Sequence, residues 1–258
     1  TQDPIAASRI TMTIQGDKRL ITANGISKHK TGAYPNAHNP NTISEQRYQY
    51  KVPLNPVFTG QIKAVGLNNF GIAVNGVTFD PTAAEAYLGN RNWMYEPLNG
   101  AINLGLDVNY AHTQPNGAYH YHGKPTGLMQ ALGVNSQKHS PLIGWAADGF
   151  PIYALSGSKT ANSVVVMRSS YRLKSGSRPA GDGNPTGQYD GTFVQDYEYV
   201  AGLGDLDECN GAKTVSAEFP QGSYAYFITD AFPAIPRCFK GSPSSDFMHR
   251  IPGLRPRG

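Results

Sequence analysis

Cysteine is nearly absent from this chain of 258 residues: there are two, Cys209 and Cys238, and no C-x-x-C. That disfavours a thiolate zinc knuckle. A disulfide across the 29-residue separation is the favoured reading. It would contribute about 3–4 kcal/mol in the chain-entropy model and would imply the periplasm or the cell exterior. The alternative is a pair of buried free thiols in a cytosolic protein. Charge is sparse too, at 16% of residues, and the excess of +4 is scattered. The one notable basic cluster is Arg250, Arg255 and Arg257. Nucleic-acid proteins gather charge on a face or stripe, so no nucleic-acid partner is expected. Long apolar runs are missing, the longest being Val164-Val165-Val166-Met167, and no membrane span is expected. The chain begins at Thr1 with no signal peptide, as a processed or trimmed chain would. No G-x-S-x-G, phosphate-binding loop or dinucleotide fingerprint occurs.

What is abundant is glycine (29), proline (19) and tyrosine (15). Such usage suits a loop-rich β protein. Ile10–Ile14 alternates and reads as a strand, with Leu20–Ala23 as its hairpin partner across Gly16-Asp17. Residues 24–46 read as loop. Arg47–Val52, Gln61–Val65, Ser163–Leu173 and Phe193–Val200 read as strands, and Phe70–Phe79 as a hairpin around Asn75-Gly76. Thr82–Leu88, following Pro81, is the best helix candidate, and Met129–Leu132 a second short one. Residues 174–192 read as a surface loop. No clean boundary divides the chain. The expectation is a mainly β, single β-sandwich-like domain over residues 1–258, with long loops and one or two short helices.

The most informative stretch is Tyr119-His120-Tyr121-His122. Strict alternation is the period of a strand, so both histidines share one face and both tyrosines the other. Next-but-one side chains on a strand lie roughly 6.6 Å apart, and imidazole binds zinc at about 2.0–2.1 Å. Two such rings can converge on one ion. His112, His120, His122 and His139 fall within 28 residues, where an even spread of the seven histidines would place about one. These four are the expected ligands of a transition metal, copper or zinc. Three histidines with an open position would be catalytic in style, and four would close a tetrahedral site. Asp107, Asp148 and His29 are expected nearby, orienting ligand rings or serving as alternative ligands. Affinity should fall as pH drops through about 6.5, since ligand imidazoles must be neutral.

A second candidate is Asp205-Leu206-Asp207-Glu208-Cys209-Asn210-Gly211, where Asp205, Asp207 and Glu208 could hold calcium although the spacing is not that of an EF-hand. There is also an internal echo. Pro115-x-Gly117-x-Tyr119-x-Tyr121 recurs as Pro220-x-Gly222-x-Tyr224-x-Tyr226, with Ala225 and Phe227 in place of His120 and His122. Two similar strands are expected, only one of which carries ligands.

These residues together resemble the YHYH-domain proteins. The likeness extends over Asn24-Gly25-Ile26 with His29, Gly71-Ile72-Ala73 with Asn75-Gly76-Val77, Gly105-Leu106-Asp107 with His112, His139-Ser140-Pro141, Asp148-Gly149-Phe150-Pro151-Ile152-Tyr153, Leu206 to Gly211, and Pro236 to Gly241. The resemblance implies an exported protein, secreted or periplasmic, with a shared site; it implies no particular reaction. Some members carry histidines in the second strand as well, and this chain departs from them at Ala225 and Phe227.

Three functions follow as expectations. The first is an exported protein that binds copper or zinc for sequestration or delivery. The second is a metal-dependent hydrolase acting on an ester or related carbonyl of a small-molecule substrate, with Asp148 or Glu208 as base. The third is a metal-free glycan-binding or adhesive β domain using surface tyrosines.

Overall fold

The fold is a computed structural model describing residues 1–249; Arg250, Arg255 and Arg257 lie outside them. Alternating segments form strands as their period requires. β1 (Ile10–Gln15), β2 (Lys18–Ala23) and β3 (Tyr48–Pro53) make an antiparallel three-stranded sheet. Gly16 supplies the positive φ for the first turn. Ile21 and Ala23 on β2, with Tyr50 and Val52 on β3, point into the core. There they join Ile72, Phe79, Trp145 and Ile152 of a second, larger sheet.

That larger sheet contains β4 (Gly71–Ala73), β5 (Thr78–Phe79), β6 (Ala111–Thr113), β7 (Tyr119–Tyr121), β8 (Gly144–Ala146), β9 (Pro151–Ala154), β10 (Gly211–Thr214) and β11 (Ser223–Ile228). Their order across the sheet is β10-β11-β9-β8-β4-β5-β7-β6. The protein is thus mainly β and sandwich-like, as its composition suggests.

The order of the strands hides a duplication. β4–β5 is a hairpin turning at Asn75-Gly76, and β8–β9 is a hairpin turning at Asp148-Gly149. Gly76 and Gly149 take the same φ, +87° and +92°. Each hairpin is joined on its second strand, in parallel, by the second strand of another hairpin, β7 beside β5 and β11 beside β9. The two halves meet at the antiparallel β4–β8 pair, where Gly71 and Gly144 play reciprocal parts. A Cβ on Gly71 would stand 2.4 Å from the carbonyl oxygen of Trp145, and one on Gly144 would stand 2.6 Å from that of Ile72.

The echo between the tyrosine strands is the sequence trace of this repeat. Tyr119 donates to Asp107 Oδ2, and Asp107 Oδ1 accepts from Asn109 N and Ala111 N. Tyr224 donates to Asp207 Oδ2, and Asp207 Oδ1 accepts from Cys209 N and Gly211 N. In both loops the residue before the strand, Tyr110 or Asn210, is left-handed.

Some elements differ from expectation. Thr82–Leu88 is not helical: Ala86–Tyr87 pairs with Asn90–Met94 across a turn at Leu88-Gly89, both with positive φ. The left-handed pair Leu88-Gly89 closes a tight hairpin turn, a backbone conformation that a helix running through Leu88 could not accommodate. The helix near Met129 is longer than expected, Thr126–Leu132, ending at left-handed Gly133. Ser163–Leu173 is broken into Ser163–Val166 and Tyr171–Leu173, which pair with different partners. Gln61–Val65 shrinks to Lys63–Ala64, paired with Cys238–Phe239. Val194–Asp196 is a 3-10 turn, so the strand expected from Phe193 covers only Tyr197–Tyr199. Cys209 and Cys238 form a disulfide, in keeping with an oxidising compartment.

Candidate metal centre

The β6–β7 hairpin builds the site. His112 and His120 are directly opposite each other in the antiparallel register, and His122 follows two residues on. Alternation sends the tyrosines to the opposite face, into the core. Tyr121 Oη accepts from Asn75 Nδ2 and donates to His29 Nε2. The two faces are therefore chemically separate, one a tyrosine–amide network and the other a histidine surface.

On the histidine face the three rings stand in a nearly symmetrical triangle, with centroids 4.7, 4.7 and 4.8 Å apart. His112 Nδ1–H donates to the Leu104 carbonyl at 2.7 Å, and His120 Nδ1–H to the Ala118 carbonyl at 3.0 Å. Those bonds fix the tautomer and turn each Nε2 lone pair inward. His122 Nε2 lies 3.1 Å from His120 Nε2 and 3.0 Å from His112 Nε2. One proton on His122 can bridge only one of these contacts well, so the other sets lone pair against lone pair. A cation removes that conflict. Two nitrogens on one tetrahedral zinc stand roughly 3.3 Å apart at ordinary bond lengths, so the spacing is close to what an ion requires.

Two further observations fit a metal. His122 Nδ1 is buried and makes no hydrogen bond of good geometry, its neighbouring acceptor being the Asp80 backbone carbonyl. Burial also keeps the rings neutral, the form that ligates. It lowers His112 below the ordinary histidine value and His122 well below it, and takes His120 down to about 3, with neighbouring imidazoles adding to the effect at His120 and His122. Among the described residues, His112, His120 and His122 are the one group of this kind whose ligand atoms lie within 4.8 Å of one another.

The remaining candidates are placed elsewhere. His139 belongs to the other half, with its ring nitrogens against the Ser140 carbonyl and Thr214 Oγ1 and its ring edge-on to Tyr153. Thr214 is on β10, at the opposite edge of the sheet from His112, so local density in sequence misled. His29 lies on the tyrosine face. Asp107 orients Tyr119 rather than an imidazole. Asp148 accepts from Tyr226 Oη, Gly241 N and Phe150 N, and burial pushes it up to about 6. Glu208 is paired with Lys240 at 2.8 Å. Neither of the expected bases, Asp148 or Glu208, belongs to the histidine face. The calcium reading also fails on charge: Asp205 faces Lys159 and Arg168, while Asp207 and Glu208 share Lys240.

Sequence reasoning missed Asp80 and Gln114. β5 runs parallel to β7 with Thr78 opposite His120 and Phe79 opposite Tyr121. Continuing that register sets Asp80 beside His122 on the histidine face. Asp80 is buried, and burial pushes its carboxyl up to about 7. The signal was present in Thr78-Phe79-Asp80, a polar–apolar–polar alternation leaving a hairpin.

The family model for YHYH protein matches residues 49–241, most of the chain and all of the site. The chain belongs to the YHYH family. No curated protein and no solved structure matches it. In this YHYH protein the four residues of the family name divide between the two faces, the tyrosines in the core and the histidines at the candidate centre.

Proposed function

We propose that this YHYH protein is an exported transition-metal-binding protein, with copper or zinc held by His112, His120 and His122 for sequestration or delivery. The convergence of three inward-turned Nε2 atoms carries the reading. Imidazole donors suit copper and zinc, and the disulfide supports export. The tyrosines of the motif are buried and hydrogen-bonded, which argues against their use as an adhesive surface. The test is elemental analysis of protein purified without chelator or affinity tag, where one equivalent of metal is expected. Replacing His120 and His122 together with alanine should abolish it, while His139→Ala should leave it intact. A metal-free wild type, or a double variant that keeps its ion, overturns the reading.

A second reading is favoured by the triangle itself: among the described residues three histidines converge, and His249 shares a cavity with His120 without joining them. Three protein ligands leave a position for water, whose pKa an ion lowers toward 7. On that reading the protein is a metal-dependent hydrolase, and the chain's own part is to hold the water and exclude the rest of the solvent.

A further inference from the structure

Beside the histidine triangle, a side-chain contact joins the residues that follow the two strands flanking β7. Gln114 follows β6 on one side of the histidine strand, and Asp80 follows β5 on the other. Gln114 N donates to the Ala118 carbonyl and Asp80 N to the Tyr121 carbonyl, so the two residues flank the histidine strand on opposite sides. Gln114 Nε2 does reach Asp80 Oδ2, at 3.4 Å. Among the described residues, the only other hydrogen bond to that carboxylate is a long one, 3.3 Å, from Thr82 N to Oδ1. Asp80 is 3% exposed. A carboxylate can accept about four hydrogen bonds, so this one is buried with two weak partners. The nearby Arg237 is already committed to Glu96 and to the carbonyls of Ile235 and Pro233. A cavity of about 120 Å³ adjoins the same place, with Thr78, Gln114 and His120 in its wall.

We infer that Asp80, aimed by Gln114, holds the exchangeable water or small ligand at the metal's non-histidine position. The inference rests on the metal reading above. Asp80 acts through that ligand and is not itself bound to the ion. The carboxylate accepts a hydrogen bond from coordinated water, and its charge disfavours anions entering from the cavity. Gln114 is then a positioning residue, fixing the orientation of the carboxylate.

The probe is azide, titrated into protein reconstituted with one equivalent of copper(II) and followed by the azide-to-copper charge-transfer absorption. At about pH 8.5, above the value to which burial raises the Asp80 carboxyl, Asp80→Asn should leave copper stoichiometry unchanged and tighten azide by about tenfold, since a negative charge is lost a few ångströms from the anion. Gln114→Met, which keeps volume and removes the donor, should shift azide affinity in the same direction; it serves as well should Asp80→Asn fail to fold. Equal azide affinity in wild type and variants overturns the inference while leaving the histidine site standing. So does a changed resting copper spectrum with weakened copper binding in Asp80→Asn, which would make Asp80 a direct ligand. Wild-type protein that takes up no copper overturns the metal reading itself, and this inference with it.

Discussion

At the residue scale the chemistry is set by which nitrogen of each imidazole is committed. His112 and His120 spend Nδ1 on backbone carbonyls, so their inward Nε2 atoms stay unprotonated at neutral pH without any ion present. Burial then sets the pH range. An imidazolium in this site has lost its water, so the folded chain takes up protons less readily than the unfolded chain between pH 6.5 and about 3, the value to which His120 is lowered. Each such ring costs no stability above pH 6.5 and progressively more as pH falls through that window. The same shift moves metal release: protons compete with the ion only where the rings protonate, so half-release should come below the pH 6.5 expected from ordinary histidine. Long-range proton–nitrogen NMR of the metal-free protein should show His120 as the Nδ1–H tautomer from pH 8 down past 5. An imidazolium signal appearing near pH 6.5 would contradict the burial argument.

At the element scale, close approach counts for more than propensity. β4 and β8 lie so near each other that neither Gly71 nor Gly144 has room for a Cβ, and the atoms in the way are backbone. Gly144→Ala should therefore cost about 1–3 kcal/mol, the range for forcing added atoms into a filled interior, read as a lowered denaturant midpoint with an unchanged slope. An unchanged midpoint would mean that the halves can move apart freely. Legibility varied along the same line. The Tyr119–His122 strand and the Asn75-Gly76 turn could be read because alternation and turn chemistry are local. Thr82–Leu88 could not, because its apolar residues serve a ribbon held by Phe193 against Tyr87 and Trp93, a contact across a hundred residues. His112 was legible as a ligand because its partner strand begins a short hairpin away. His139 misled because the hairpin that follows the histidine strand, β8–β9, belongs to the other half of the sheet, where His139 meets Thr214 on the far edge strand.

At the scale of the whole molecule, the repeat explains the unequal roles of two similar halves. The positions equivalent to His112, His120 and His122 are Ala212, Ala225 and Phe227, and Tyr153 stands where the first half has Asp80. These four residues form an apolar cluster with Met167 and Leu206. The weak echo in the sequence pointed to this, but its extent was hidden because the loops between hairpins differ in length and few identical residues are kept. One half closes its face with side-chain hydrocarbon, which is always present. The other closes the corresponding face with three polar rings whose spacing could hold an ion. The molecule should accordingly soften on one side when the ion is withdrawn. Amide hydrogen exchange of chelator-treated protein should accelerate over Ala111–Thr113 and Tyr119–Tyr121, with Gly211–Thr214 and Ser223–Ile228 unaffected. Equal acceleration in both would make the sheet a single cooperative unit. With the expected asymmetry, the second half is a permanent keel, and metal supply governs the rigidity of the first half alone.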